Sequence, residues 1–420
     1  MTNAPIRLAL VAAVALGAAT LAPGAAAQDC GVERQVKTAA LDEATWKRLN
    51  SIYEDVGEEK YAEAYEGLKE LEKRAGKDKY LAAVVAQGLA QVEWARENYD
   101  AALREFERAV ELDALPDNIH FALMYQISQL YYMQERYDEA LDRLQLWFCK
   151  SPQEKITSAA YVLEASIHQA NQDYAKALTS IEKAISMDDN PKEAWYQLKL
   201  ASHYELEQFP QAAETLETMI TRWPDKRDYW VQLSQIYYRL KQEQKALSTV
   251  ALAYRNNMLD RQSDILYLSS LYSNSGVPYK AAKILQKGIE DGVVEPTQRN
   301  WTMVGDNWYA AEEMDEALAA FEKAGEAALD GDIDLRRGYI LIDLEKWDQA
   351  KEALSAALEK GGIDDRKTGE AHLLLGMAEF NLGNWDRAST EWGRASRYPK
   401  SRQAAQQWMN HLREERAKRA

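Results

Sequence analysis

Two consecutive segments decide the fold: WVQLSQIYYRL at 230–240 and KALSTVALAYRNNML at 245–259. In the first segment the large residues Leu233 and Tyr237 stand beside the small residue Ser234. A spacing of three and four residues places such side chains on one face of an α-helix. A small residue within that face allows a second helix to approach closely. The two segments therefore predict a pair of tightly packed helices.

The same pattern recurs along the chain around an alanine that we call the signature Ala. It usually stands three residues after an aromatic or long apolar residue, and successive instances are 33 to 38 residues apart. The signature alanines are Ala64, Ala102, Ala140, Ala177, Ala212, Ala246, Ala281, Ala317, Ala350 and Ala388. One helical pair cannot bury its apolar stripe alone, so a periodic series of pairs predicts a stacked array.

Each unit resembles the tetratricopeptide repeat (TPR), whose pattern is W-x2-L-G-x2-Y…A-x3-F-x2-A…P. The eighth unit carries the pattern in Trp301, Gly305, Trp308, Ala317 and Phe321. The resemblance implies an all-α, right-handed TPR superhelical solenoid of about ten repeats over residues 42–400. Residues 401–420 have Trp408, Met409 and Leu412 on one side, which predicts a capping helix over the last repeat.

Residues 1–27 have the features of a secretory signal peptide. Arg7 provides a positive charge, an apolar stretch follows at 8–19, and Ala25 and Ala27 form an A-x-A cleavage site. We therefore expect export to an oxidising compartment and a mature chain whose first segment, 28–41, is a loose lead-in.

Two cysteines, Cys30 and Cys149, are the only thiols, and both follow the expected cleavage site. An even number of cysteines in an exported protein predicts one disulfide. Such a bond would close a long loop and stabilise the fold by about 3–5 kcal/mol.

The charge is strongly acidic, with a formal net value of −16. Such a surface repels nucleic acid and anionic lipid headgroups, and no segment reaches the length of a confident membrane span. The charge favours basic or neutral protein partners, although solubility alone also explains it. We expect protein or peptide partners, no nucleic acid and no direct membrane insertion.

Candidate chemical motifs are few and incomplete. The five histidines are scattered without metal-binding spacing, and no G-x-S-x-G motif is present. Asp330, Asp332 and Asp334 resemble the start of a calcium loop, but Leu335 and Leu341 stand where Gly and Glu are needed. We interpret this segment as an Asp-rich helix cap, with the first helix of the ninth repeat beginning at Asp332 or Asp334. We expect no enzyme activity, no cofactor and no metal.

Aromatic pairs indicate a binding surface. We call the two helices of each pair its first and its second helix. Tyr131-Tyr132, Tyr237-Tyr238 and Trp308-Tyr309 occupy equivalent places in the first helices of three pairs. Adjacent helical residues point about 100° apart, so we expect the first member to pack inside and the second to face a groove. The alternative is burial of both members within the solenoid. The predicted groove residues are Trp94, Tyr125, Gln129, Tyr132, Gln169, Gln235, Tyr238, Arg239, Arg299, Tyr309, Tyr339 and Phe380.

The second half also resembles one group of exported TPR proteins, which accompany TonB, ExbB and ExbD-type components in Gram-negative bacteria. The segments that carry this resemblance are SGVPYKAAKILQKGIEDGVVEPTQRNW, EKGGIDDRKTGEAHLLLGMAEFNLGNWDRA and YPKSRQAAQQWM. It implies a periplasmic accessory of a TonB-dependent transport system that contacts TonB- or ExbD-like proteins. The alternative is an envelope-assembly scaffold that recruits peptidoglycan or polysaccharide machinery.

Overall fold

The computed structural model describes residues 34, 36 and 38–419, and this part of the chain contains helices and no strand. The helices are α1 (Glu43–Gly57), α2 (Tyr61–Ala75), α3 (Lys79–Ala95), α4 (Tyr99–Glu111), α5 (Asp117–Met133), α6 (Tyr137–Lys150), α7 (Ser158–Ala170), α8 (Tyr174–Ser186), α9 (Glu193–Glu205), α10 (Phe209–Arg222), α11 (Arg227–Arg239), α12 (Glu243–Arg255), α13 (Gln262–Asn274), α14 (Pro278–Glu290), α15 (Gln298–Ala310), α16 (Met314–Glu326), α17 (Asp332–Asp343), α18 (Trp347–Lys360), α19 (Asp365–Asn381), α20 (Trp385–Ala395) and α21 (Arg402–Arg419). A short 3-10 turn, Gln153–Lys155, lies between α6 and α7.

The chain divides into two compact units between Leu206 and Glu207. Within the described residues, the first unit holds α1 to α9 and the second holds α10 to α21. In each unit, a first helix packs on the second helix that follows it, and the second helix packs on the next first helix. The prediction of an all-α helical solenoid is therefore confirmed for each unit.

The signature alanines lie at the seam of the helical pairs, and all ten are fully buried, with 0% exposure. In several pairs, a small residue twelve positions before the signature Ala faces the seam from the first helix. The hydroxyl of Ser128 donates a hydrogen bond of 2.8 Å to the carbonyl of Ala140, and Ser269 donates one of 2.9 Å to Ala281. Small residues on both sides therefore bring the two helix backbones close together.

One turn geometry joins the two helices of nearly every pair. After α5, the N–H of Arg136 donates to the carbonyl of Tyr131, and the N–H of Glu135 donates to Tyr132. This is the Schellman arrangement, which needs a residue with positive φ after the helix. The residues with positive φ in these turns are Glu59, Glu97, Glu135, Gln172, Lys241, Gly276, Glu312, Glu345 and Gly383. Most are not glycine, so the turns carry a conformational cost.

The amino-terminal segment docks on α5 where it is described. The guanidinium of Arg34 is buried, pairs with Asp113 at 3.0 Å and donates to the carbonyl of Leu115 at 2.9 Å. The N–H of Val36 donates to the Asp117 carboxylate at 3.2 Å, and the N–H of Asp117 donates to the Val36 carbonyl at 3.3 Å. Carboxylates and a carbonyl at the start of α5 therefore hold Arg34 and Val36, and the lead-in over 28–41 as a whole stays a prediction.

Two predictions fall on residues that the structure does not describe. The signal peptide, 1–27, lies outside the described residues, and so does Cys30. Cys149 is not a free thiol. Its pairing with Cys30 stays a prediction.

The acidic segment at 330–334 surrounds the start of α17. The helix begins at Asp332, but the Asp330 carboxylate accepts the hydrogen bond from the Asp332 N–H, at 3.2 Å. The Asp332 carboxylate instead accepts from Lys367 at 2.7 Å, and Asp334 is buried and pairs with Lys360 at 2.6 Å. The prediction that the helix begins at Asp332 or Asp334 is therefore confirmed at Asp332. The carboxylate at its start belongs to Asp330, because ion pairs with later residues occupy the carboxylates of Asp332 and Asp334.

The last helix, α21, covers apolar groups of the pair before it. Leu412 is buried, and the Trp408 ring stacks on Trp392 with 5.4 Å between ring centroids. Trp392 itself is fully buried. The apolar side of α21 therefore extends the core of the second unit beyond α20.

Candidate functional site

The aromatic pairs divide between core and surface in the order that the sequence predicts. The first members, Tyr131, Tyr237 and Trp308, are 9%, 7% and 6% exposed. Among the second members, Tyr238 is 41% and Tyr309 is 43% exposed, and Tyr132 is half-buried. Adjacent residues on a helix cannot enter the same seam, which explains this division.

Each first member also has a polar partner in the preceding second helix. The Tyr131 hydroxyl donates to Glu107 at 3.0 Å, the Tyr237 hydroxyl donates to Glu217, and the Trp308 indole donates to Gln286 at 2.8 Å. Burial and the neighbouring Glu217 carboxylate raise the pKa of Tyr237. These hydrogen bonds fix the helix rotation that turns the second member outward.

The predicted groove residues, except Arg239, occupy one recurrent stripe of the first helices. Counted back from the signature Ala, the stripe lies 18, 15, 11 and 8 residues earlier, with offsets of three and four that follow one helix face. In the first unit Trp94, Tyr132 and Gln169 take the last of these positions, Tyr125 the second and Gln129 the third. Residues of α3, α5 and α7 thus take equivalent positions in the repeat.

Tyr125 connects two neighbouring first helices of the first unit. Its hydroxyl donates to the carbonyl of Ala159 at 3.4 Å, and its ring lies 5.1 Å from the ring of Trp147. Burial raises the pKa of the Tyr125 phenol. Tyr125 therefore forms one wall of a depression between α5 and α7.

This depression is an apolar pocket of about 470 Å³. Its floor holds Phe121 and Trp147, and the Trp147 indole donates to the Phe121 carbonyl at 2.9 Å. Ala122 and Ala159 lie on its walls, and the other lining residues are Asp117, Asn118, Tyr125, Pro152, Lys155 and Thr157. Sequence reasoning found only Tyr125 here, although the loop 151–157, with its Pro152, marks a longer connection than its neighbours.

In the second unit, Gln235 and Tyr238 lie on the stripe of α11, and Arg239 follows them. Gln235 is exposed, and the Arg239 guanidinium lies 4.0 Å from the centroid of the Phe209 ring. A cation over an aromatic face is held by the ring quadrupole. Arg239 is therefore partly engaged within its own unit.

Arg299 and Tyr309 lie on the stripe of α15. Arg299 is exposed and lines a mixed pocket of about 500 Å³ with Leu266, Tyr267 and Met303. No hydrogen bond or ion pair to the Arg299 side chain is present among the described residues. This pocket joins the stripes of α13 and α15.

Tyr339 and Phe380 have partners within the second unit. The Tyr339 hydroxyl donates to Glu370, and burial together with this carboxylate raises the pKa of Tyr339. The Phe380 ring is half-buried, 5.8 Å from Trp392 and 6.0 Å from Trp408, so α21 packs beside it. Phe380 thus packs with Trp392 and Trp408 beside α21, whereas Tyr339 stays 38% exposed.

Buried charges in the second unit have structural partners. Asp264 is 2% exposed and accepts from Arg227, whose Nε lies 2.6 Å away. His372 contacts the Glu391 carboxylate through Nδ1 at 2.6 Å. Across residues 34, 36 and 38–419, no group of three or more His, Cys, Asp or Glu side chains is arranged to hold a metal ion.

No helix among the described residues is both long enough and apolar enough to cross a bilayer.

Comparison with protein families finds three matching models, all described as tetratricopeptide repeat. One matches residues 201–260 and 335–405, a second matches 80–146 and a third matches 158–191. Together these matches cover more than half of the chain, and they fall in both units. A search of curated proteins finds no match.

Similar solved structures include two tetratricopeptide-repeat proteins and MamA. A tetratricopeptide repeat protein from Parabacteroides merdae is 12% identical, covers 68% of this chain and 94% of its own, and has a TM-score of 0.38. The C-terminal part of a TPR repeat-containing protein from Cytophaga hutchinsonii is 13% identical over 67% and 97%, with a TM-score of 0.37. MamA from Desulfovibrio magneticus is 20% identical over 40% and 93%, with a TM-score of 0.32.

Proposed function

We infer the function from the fact that this chain is a tetratricopeptide-repeat protein, a class that binds other proteins. Repeat solenoids of this kind present extended surfaces to their partners, and the class is generally non-enzymatic. We propose that the chain is a periplasmic interaction scaffold and an accessory of a TonB-dependent energy-transduction system.

One observation carries the scaffold role: in α11 and α15 the second aromatic of the pair is exposed, whereas the first is buried in the core. Tyr238 and Tyr309 are more than 40% exposed on equivalent positions of α11 and α15. Exposed Tyr on a rigid helix provides a large contact area at low entropic cost, which favours its use in protein interfaces. Arg299 lies on the same stripe and can pair with acceptors of a partner.

Export and the TonB association are supported by sequence features alone. Residues 1–27 have the charge, apolar stretch and A-x-A site of a signal peptide. The segment 230–409 is similar to the exported TPR proteins that accompany TonB, ExbB and ExbD-type components. The partner proposed for the scaffold is therefore the periplasmic part of a TonB- or ExbD-like protein.

The test uses the mature chain from Gln28 as bait against purified periplasmic domains of TonB- and ExbD-like proteins from the same genome. We expect one of them to bind, and we expect Tyr238→Ala to weaken that binding. The control is Leu252→Ala, which removes a side chain that is 44% exposed on the second helix α12 of the same pair. Equal weakening by both variants would contradict the assignment of the stripe.

A parallel capture from an envelope extract separates the two candidate systems. Recovery of peptidoglycan or polysaccharide machinery, with no binding to TonB- or ExbD-like domains, would favour the envelope-assembly scaffold instead. Fusion of residues 1–27 to a reporter that is active only after export tests the location. An inactive fusion would contradict the periplasmic assignment.

A further inference from the structure

The stripe of the first unit contains no charged residue. It comprises sixteen positions in the four pairs whose signature alanines are Ala64, Ala102, Ala140 and Ala177. They are Trp46, Leu49, Tyr53, Val56, Val84, Gln87, Gln91, Trp94, Ala122, Tyr125, Gln129, Tyr132, Ala159, Val162, Ser166 and Gln169. All except Leu49 are half-buried or exposed. We call these sixteen residues the uncharged face.

This absence of charge is unusual for exposed positions in this chain. Asp, Glu, Lys and Arg make up 28% of the residues, so about four would be expected among sixteen positions. The equivalent stripe of the second unit, over the five pairs from Ala246 to Ala388, has five charged residues among twenty positions. They are Asp228, Arg299, Asp306, Asp332 and Glu370. The repeat fold therefore tolerates charge on the stripe, and its absence in the first unit is specific to that unit.

The uncharged face carries several side-chain amide groups, on α3, α5 and α7. The side-chain amides of Gln87, Gln91, Gln129 and Gln169 make no hydrogen bond within the described part of the chain. An amide offers both a donor and an acceptor, which matches the C=O and N–H of an extended peptide backbone. Amides that recur on successive first helices can therefore pair with a backbone whatever its side chains are.

The uncharged face also borders the apolar pocket at the α5–α7 junction. Ala122, Tyr125 and Ala159 belong to the uncharged face and line this pocket, whose floor is Phe121 and Trp147. A pocket of about 470 Å³ with an aromatic floor accommodates one large apolar side chain. Such a buried anchor commonly provides most of the binding energy of a protein interface.

We propose that the uncharged face binds an extended, uncharged segment of a partner protein, with one large apolar side chain in the α5–α7 pocket. The proposal rests on the proposed scaffold function and names the chemistry of the partner. Asp117 and Lys155 line the pocket but stand outside the sixteen positions. Along the sixteen positions themselves a charged side chain would lose hydration without meeting an opposite charge, so this part of the surface selects against charged segments. The protein as a whole is acidic, and its surface charge does not extend onto these positions.

The test is selection of random peptides, displayed on phage, against the mature chain. We expect the selected peptides to be depleted in Asp, Glu, Lys and Arg and to share one Trp, Phe, Leu or Met. Synthetic versions of the selected peptides then serve as probes in a fluorescence-polarisation assay. Replacing their shared apolar residue by Lys or Glu should abolish binding.

Charge on the face is introduced by Gln129→Lys and, separately, Gln129→Glu, and the pocket is filled by Ala122→Leu. Gln129 and Ala122 are exposed, so these changes leave the core intact. Each should weaken binding by about tenfold or more. The matched controls are Gln145→Lys and Gln145→Glu, because Gln145 is exposed on the second helix α6 of the same pair. These controls should bind as the unmodified protein does.

The outcomes separate this proposal from the scaffold function. Selected peptides that are rich in charge, or binding that Gln129→Lys leaves unchanged, would overturn the uncharged-segment proposal and leave the scaffold function standing. Failure of any peptide to bind, with no binding of TonB- or ExbD-like domains, would overturn both. Self-association of the chain that Gln129→Lys abolishes would assign the face to a second copy and overturn the peptide proposal.

Discussion

The hydroxyl of Ser234 donates a hydrogen bond of 2.7 Å to the carbonyl of Ala246, and both residues are fully buried at one helical seam. We expect Ser234→Ala to lower the free energy of unfolding of the second unit by about 1 kcal/mol, because a buried hydrogen bond is lost. Urea unfolding followed by circular dichroism measures the change. Ser248→Ala is the control, since Ser248 is exposed on α12 and bonds only within its own helix. An equal loss in the control would contradict a specific role for the seam.

Gly305 lies where a β-carbon would stand 2.5 Å from the ring of Phe321. Alanine improves helix propensity by about 1 kcal/mol, but overpacking a buried seam costs about 1–3 kcal/mol. We therefore expect Gly305→Ala to destabilise the protein in thermal and urea unfolding. Gly393→Ala, in α20, should stabilise it by about 0.5–1 kcal/mol, because no atom lies within 4 Å of its β-carbon position. The same sign for both changes would show that close packing does not decide the effect.

Glu345 has a φ of 55° in the turn between α17 and α18. A glycine adopts this conformation without the steric cost that a side chain carries, so Glu345→Gly should stabilise the protein by about 0.5–1 kcal/mol. Glu352→Gly, at an exposed position within α18, should instead destabilise it by about 1 kcal/mol. Opposite signs from one chemical change, measured by urea unfolding, are the expected result.

His120 is 3% exposed, and burial followed by the nearby Arg34 cation lowers the pKa of this histidine to about 4. The unfolded chain, with an ordinary histidine pKa near 6.5, then binds more protons than the folded chain below that pH. Stability is thus unaffected by His120 above pH 6.5 and falls by up to about 3 kcal/mol as the pH drops to 4.

The measurement is the free energy of unfolding between pH 4 and 7 for the wild type and His120→Leu. We expect the difference between the two proteins to change in favour of the variant as the pH falls. A difference that stays constant with pH would mean that the pKa of His120 is the same in the folded and unfolded protein.

Tyr237 and Tyr238 should respond oppositely to truncation. Tyr237→Ala removes a buried ring and should cost about 3–5 kcal/mol. Tyr238→Ala removes a ring that is 41% exposed and should change stability by less than about 1 kcal/mol. Thermal unfolding distinguishes the two variants. Strong unfolding of Tyr238→Ala would show that this ring belongs to the core and would remove it from the binding surface.

The period of the signature Ala was sufficient to predict the helical pairs, because burial against a neighbouring helix requires small residues at fixed spacing. Rotation of the first helices was also predictable, since adjacent aromatics cannot share one seam and only one of Tyr237 and Tyr238 is buried. The sequence therefore indicated which positions line the stripe.

Contacts between distant parts of the chain were not predictable. The α5–α7 pocket depends on Trp147 in a second helix and on the path of the loop 151–157, which no periodicity encodes. The docking of Arg34 joins residues 81 positions apart, and it uses carboxylates that resemble any other acidic turn. The ion pair of Asp334 was equally unpredictable, because its partner Lys360 lies at the end of α18.

The docking of Arg34 and Val36 on α5 has a mechanical consequence. Without the predicted Cys30–Cys149 disulfide, tension applied to the chain ahead of Arg34 would enter the fold at Asp113 and Asp117, not at the start of α1. The segment from α1 to α4 would bear no load until these contacts broke. A scaffold pulled from its amino end would therefore keep its first two helical pairs folded until the contacts of Arg34 and Val36 break.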